Sequence, residues 1–179
     1  MPLLAVVLIL ADTTLYRTEE KGKIGWIKRV VEPDSNGVVI TYLSPESRIL
    51  ARLDSHYVPI LVRKWHRDTL IYELTVNDSL RVRDRDKMKT LEKNYPFYDR
   101  HTLDFVLGRI DKKRVLVFLP EREYEWVRLY YDDHKITLRP ENFFFALFGI
   151  KFEFWFDDSA NMVRYQDAFG RKLERIKNK

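Results

Sequence analysis

The chain has no cysteine, six glycines in 179 residues, four histidines, and no apolar run longer than the eleven residues at its start. Without cysteine there is no disulfide, thiolate nucleophile or zinc–thiolate site. The histidines, His56, His66, His101 and His134, never fall at HxH or HExxH spacing, so no metal motif is written in the sequence. No phosphate-loop ending follows Gly22-Lys23-Ile24-Gly25, and no serine sits in a Gly-x-Ser-x-Gly elbow. Asp157-Asp158-Ser159-Ala160-Asn161 starts like a calcium loop, but Met162 stands where a glycine is needed and Ala168 where a bidentate glutamate is needed. That segment reads as a turn. No cofactor and no metal are expected.

What the chain does have is hydrophobic content of 45%, aromatic content of 14% and dense charge of both signs. The first two exclude a disordered chain. The net charge of +5 is modest, and the arginines at 81, 83 and 85 are interrupted by Asp84 and Asp86. A solvated, ion-paired sheet face explains that run better than nucleic-acid binding does.

Period-two alternation is the dominant pattern. In Lys151-Phe152-Glu153-Phe154-Trp155-Phe156 the three phenylalanines share one strand face, and after the 157–161 turn the strand pattern resumes at Met162. The same grammar recurs from Thr13 onward, with turn chemistry at Glu32-Pro33-Asp34-Ser35-Asn36-Gly37 and Ser44-Pro45-Glu46-Ser47. In the hairpin of residues 69–85, the apolar faces coincide only if Val76 opposes Leu80 and Leu74 opposes Val82, which sets Glu73 against Arg83. One segment departs from alternation: Leu103, Val106 and Leu107 recur at helical spacing after Asp99 and before Gly108. This predicts one short helix near residues 99–107, with Asp99 as its N-cap. The expectation is a mainly β protein, a single antiparallel curved sheet or incomplete barrel of about ten strands, its concavity plugged by that helix.

Residues 1–11, apolar and followed at once by Asp12, match a signal-peptide apolar region without its basic leader, or else a buried first strand. Residues 12–179 read as a single β domain.

Three places together carry a family resemblance. They are Lys23-Ile24-Gly25-Trp26, the stretch Phe97-Tyr98-Asp99-Arg100-His101-Thr102-Leu103-Asp104-Phe105-Val106-Leu107, and the closing Phe152-Glu153-Phe154-Trp155-Phe156 with Val163-Arg164-Tyr165. Their order resembles an exported bacterial family of unknown function. The resemblance implies a curved antiparallel β fold akin to the periplasmic lipoprotein-carrier half-barrels, a periplasmic or otherwise exported location, and no enzyme activity.

Function is therefore expected to be non-enzymatic binding of a lipophilic molecule or an envelope protein on an aromatic-lined concave face. Trp26, Phe152, Phe154, Phe156 and Tyr165 are the candidate ligand-binding residues, with Val163 joining them from the last hairpin. The alternative is a hydrolase or isomerase using His101 as general acid/base with Asp99, Tyr98 and Tyr95. Against it, Asp99 is expected to cap the helix while Arg100 and His101 face water.

Overall fold

The computed structural model describes residues 12–93, 96–119 and 123–176. The segment 1–11 and Tyr95 lie outside these residues. The first half of the chain forms β1 (Asp12–Glu20), β2 (Lys23–Asp34), β3 (Gly37–Leu43), β4 (Ser47–Asp54), β5 (Pro59–His66), β6 (Thr69–Val76), β7 (Leu80–Asp84) and β8 (Lys87–Leu91). The second half opens with β9 (Tyr98–Asp99), α1 (Leu103–Val106) and a 3-10 turn (Leu107–Arg109). It continues through β10 (Arg114–Leu119), β11 (Glu123–Asp132), β12 (Lys135–Pro140), α2 (Phe143–Leu147), β13 (Phe152–Phe156), β14 (Met162–Asp167) and β15 (Lys172–Arg175).

All strands among the described residues join one open sheet in the order β8-β7-β6-β5-β4-β3-β2-β1-β15-β14-β13-β12-β11-β10-β9. The mainly β, curved, open architecture matches the sequence, but the sheet has fifteen strands rather than about ten, a second helix is present, and β9 pairs with β10 in parallel. The excess comes from strands as short as two to five residues, such as β8, β9 and β15, which alternation over a long window does not resolve.

The order dictates the curvature. The chain meanders from the middle of the sheet out to β8, then crosses to the opposite edge at β9 and returns to pair β15 with β1. Laid flat, fifteen strands would be about 67 Å wide, whereas the six residues between β8 and β9 reach at most about 25 Å. The sheet must roll until its edges meet. Lys89 and Glu123 form an ion pair across the seam, the Tyr124 hydroxyl donates to the Glu92 carbonyl, and Tyr72 on β6 bonds to Asp99 on β9. The β10 run Val115-Leu116-Val117-Phe118 is buried on both faces, because its outer side packs with Phe97 and Tyr124 under the overlapping edge.

The β6–β7 hairpin has the expected register, with Val76 opposite Leu80, Leu74 opposite Val82 and Glu73 opposite Arg83. Glu73 nonetheless makes its ion pair with Arg63 on β5. A bulge between Trp155 and Phe156 pairs Phe156 with Met162, so Met162, not Val163, joins the inner aromatic row.

Helix α1 occupies part of the concavity, burying Leu103, Phe105 and Val106, but it is shorter than expected and Asp99 does not cap it. Thr102 occupies the N-cap position without a capping side-chain bond, its hydroxyl donating instead to the Asp99 carbonyl, and Asp99 ends strand β9. Two contacts fix the plug. Arg109 donates to the Phe105 and Ala160 carbonyls and to Asn161 Oδ1, with its guanidinium over the Phe105 ring. A Cβ on Gly108 would lie 2.6 Å from the Ala160 oxygen and 2.8 Å from the Phe156 ring, so only glycine lets the helix end meet the 157–161 turn this closely.

Candidate functional site

A cavity of about 600 Å³ lies inside the roll between α1 and the sheet. Its walls differ in chemistry. From β10 to β15 the wall is mainly apolar, with Val117, Leu138, Phe152, Phe154 and Leu173 turned inward by alternation and Met162 by the bulge, and with Glu125 and Arg171 as its charged members. The opposite wall, from β3 to β5 and the β9–α1 loop, carries Tyr42, Ser44, Lys64, Arg100, His101 and Asp104. The cavity is amphipathic, and its polar wall draws on both halves of the chain: Tyr42, Ser44 and Lys64 come from the first, and Arg100, His101 and Asp104 from the second.

Of the candidate residues, the structure brings Phe152, Phe154 and Tyr165 together in the apolar wall, with the Phe154 and Tyr165 rings 4.9 Å apart. Phe156 stacks beyond Phe154 and packs on Gly108 instead of facing the cavity. Trp26 lies elsewhere. It is 48% exposed on the outer face, because Ile27 and Arg29 take the inward positions of β2.

His101 is not a solvent-facing residue of a first helical turn. Its side chain is 9% exposed, lines the cavity, and meets Asp99 through Nδ1 at 2.9 Å. Asp99 is fully buried and also accepts from the His101 backbone N–H at 2.8 Å and the Tyr72 hydroxyl at 2.7 Å. Burial pushes the Asp99 carboxyl up, but neighbouring His101 and the bonds from His101 and Tyr72 outweigh it and hold it below the ordinary carboxylate range. Burial together with the Asp99 charge drives the Tyr72 hydroxyl up, so it stays a donor. An ionised carboxylate on Nδ1 fixes the orientation of the imidazole ring. Tyr98, buried beside β10, contributes no bond to this chain of groups.

A second buried cluster sits five residues on, and alternation in β2 could have flagged it. Arg29 is completely buried between Ile27 and Val31 positions. Its Nη1 lies 3.6 Å from Asp104 Oδ2, and its Nη2 makes long bonds to Thr14 and Asn161. Nε and Nη1 have no hydrogen bond. Asp104 accepts a 2.6 Å bond from the Tyr42 hydroxyl and lines the cavity. Burial raises the Asp104 carboxyl above its ordinary range, only partly offset by Arg29 and Tyr42. Among the described residues, no group of three or more metal-ligating side chains is assembled.

Comparison with protein-family models, curated proteins and solved structures finds no match for this chain.

Proposed function

We propose that the protein is a non-enzymatic binder of a lipophilic molecule, which it holds inside the roll. The observation that carries this reading is the cavity itself: about 600 Å³ with one mainly apolar wall around Phe152 and Phe154. That volume falls within the roughly 300–1,000 Å³ common for ligand pockets. A long apolar group would lie against the β10–β15 wall, and a polar end would meet the opposite wall. An envelope location fits such a cargo, and the apolar segment at residues 1–11 is the feature that would route it there.

Native mass spectrometry of the purified protein should show a co-purifying lipid, and the wild-type chain should take up a soluble fluorescent fatty acid. Leu138→Trp, which puts an indole into the cavity, should abolish uptake while leaving the far-ultraviolet circular dichroism of the sheet intact. A wild-type chain that holds no lipid and takes up no probe would end this reading.

One observation favours a second reading on the same cavity. Tyr72, Asp99 and His101 form an oriented chain ending at the cavity surface, the arrangement of a general acid/base. If His101 acts on the guest, the molecule that co-purifies with His101→Gln should differ from that bound to wild type, in mass for a hydrolysis or in chromatographic retention at equal mass for an isomerisation. Identical guests in both would remove the enzymatic reading.

A further inference from the structure

Helix α2 presents a face that water does not favour. Phe143, Phe144, Leu147 and Phe148 are 65–74% exposed, and the stretch 142–150 contains no charged residue. The segment is nevertheless built to hold this shape. Asn142 Oδ1 accepts from the Phe144 N–H, Asn142 N–H donates to Glu125, and Gly149, at a φ of +62° that favours glycine, lets the Ile150 N–H close back on the Phe145 carbonyl. A capped helix with its aromatic side turned outward differs from scattered exposed residues, which need no explanation.

Its position is the second observation. Phe145 and Ile150 from this segment and Phe169 from the β14–β15 turn line the cavity, and Phe169 is itself 67% exposed. The exposed aromatic surface is therefore continuous with the apolar wall. Cations border it: Arg171, ion-paired with Glu20, and Arg100 lie on the cavity lining, and Lys151, ion-paired with Glu153, follows α2.

From this continuity and charge we infer that α2 and the Phe169 turn form a collar that docks the cavity mouth onto an anionic lipid bilayer. Five helical residues are too few to span a membrane, which takes about 20. They suit the interface, where aromatic and leucine side chains enter the acyl boundary and flanking Lys and Arg face anionic head groups. Docking there would let an apolar guest pass between bilayer and cavity without crossing water. The inference extends the cavity-binding reading, but docking itself does not require that the cavity take a guest.

The test uses the full chain with vesicles of phosphatidylcholine, alone or with phosphatidylglycerol, read by co-sedimentation. Wild type should bind the anionic vesicles, more weakly at high salt. Phe144→Asp/Phe148→Asp should weaken binding by at least about 100-fold, the lower bound for two phenylalanines withheld from the apolar phase. Neither residue lines the cavity, so the double variant should still take up the soluble fatty-acid probe, whereas Leu138→Trp should lose the probe and keep the vesicles. Phe148→Trp should show a blue shift of emission on binding beyond that of wild type. Unchanged vesicle binding by the double variant would overturn the proposal, as would no vesicle binding by wild type. Concentration-dependent self-association of wild type without lipid, abolished in the double variant, would overturn it in favour of a second copy as the occupant.

Discussion

Asp99 and Asp104 stand five residues apart, on either side of the start of α1, and the protein treats them in opposite ways. Asp99 is sealed from solvent and receives three donors at 2.7–2.9 Å, which hold its charge in place. Asp104 faces the cavity, receives one short bond from Tyr42, and has its counter-charge 3.6 Å away on an arginine with two unbonded nitrogens. Both carboxylates pay the desolvation cost of burial, and the donors decide the outcome. At Asp99 they outweigh that cost; at Asp104 they do not. A saturated carboxylate orients what it touches, here His101. An undersatisfied one beside a cavity is a polar contact left available to whatever enters.

The largest effect expected from breaking this contrast is at the second site. Arg29→Met takes the counter-charge from Asp104, whose ionised form burial already disfavours, and should cost about 3–5 kcal/mol. Arg29→Met/Asp104→Asn removes both charges and should recover most of that loss, because replacing a whole buried pair by apolar groups is often neutral or better. Urea denaturation of the single and double variants measures both. If the double variant were as unstable as the single, the cost would lie in lost shape rather than in the stranded charge.

The two sites also differ in how far the sequence reveals them. Alternation was enough to set the β6–β7 register and to turn Phe152 and Phe154 inward, because each depends on residues adjacent in one hairpin. Asp99 looked like a helix cap because an acid before a helical repeat is the usual cap signature. Its true partner, Tyr72, is 27 residues away and reaches it only because the edges of the sheet overlap. Fifteen strands with a short crossover make that overlap necessary, yet the count depends on strands too brief for periodicity to register. Arg29 was legible in principle, as a charge at an inward position of β2. The aromatic collar was also present as Asn142, an apolar run and Gly149, a capped helix in outline, while the exposure of its face depends on tertiary packing.

A smaller effect, with opposite signs at the two sites, is expected in the pH dependence of stability. Asp99 has a folded pKa below its unfolded value of about 3.9, so it contributes stability above that pH, and the contribution is lost as pH falls through the folded pKa. Asp104 has a folded pKa above about 3.9, so the unfolded chain ionises first and stability falls as pH rises through the window between the two values. Asp99→Asn should cost about 1–3 kcal/mol near neutral pH and progressively less towards acid. Arg29→Met/Asp104→Asn should remove the decline on the alkaline side of pH ~3.9 and leave the acid limb untouched. Thermal melts from about pH 3 to 7 separate the two limbs. A single variant that flattened both would mean the carboxylates titrate together.

The smallest effect discriminates between the two sites by deleting one hydroxyl at each. Tyr72→Phe takes one of three donors from a carboxylate that no solvent can reach, and should cost about 1–2 kcal/mol. Tyr42→Phe takes the single short donor from Asp104, but that carboxylate is 16% exposed and lines the cavity, so water can replace the phenol and the cost should be about 0.5–1 kcal/mol. The ranking runs against bond length, since the Tyr42 bond, at 2.6 Å, is the shorter of the two. It follows instead from what each carboxylate can do once the donor is gone. Filling the cavity with Leu138→Trp sharpens the comparison: with water displaced from beside Asp104, the cost of Tyr42→Phe should rise towards that of Tyr72→Phe, while the latter stays the same. Denaturation of the three single and two combined variants measures this. An unchanged Tyr42→Phe cost in the filled background would show that the cavity does not hydrate Asp104, and the difference between the two carboxylates would then rest on their protein donors alone.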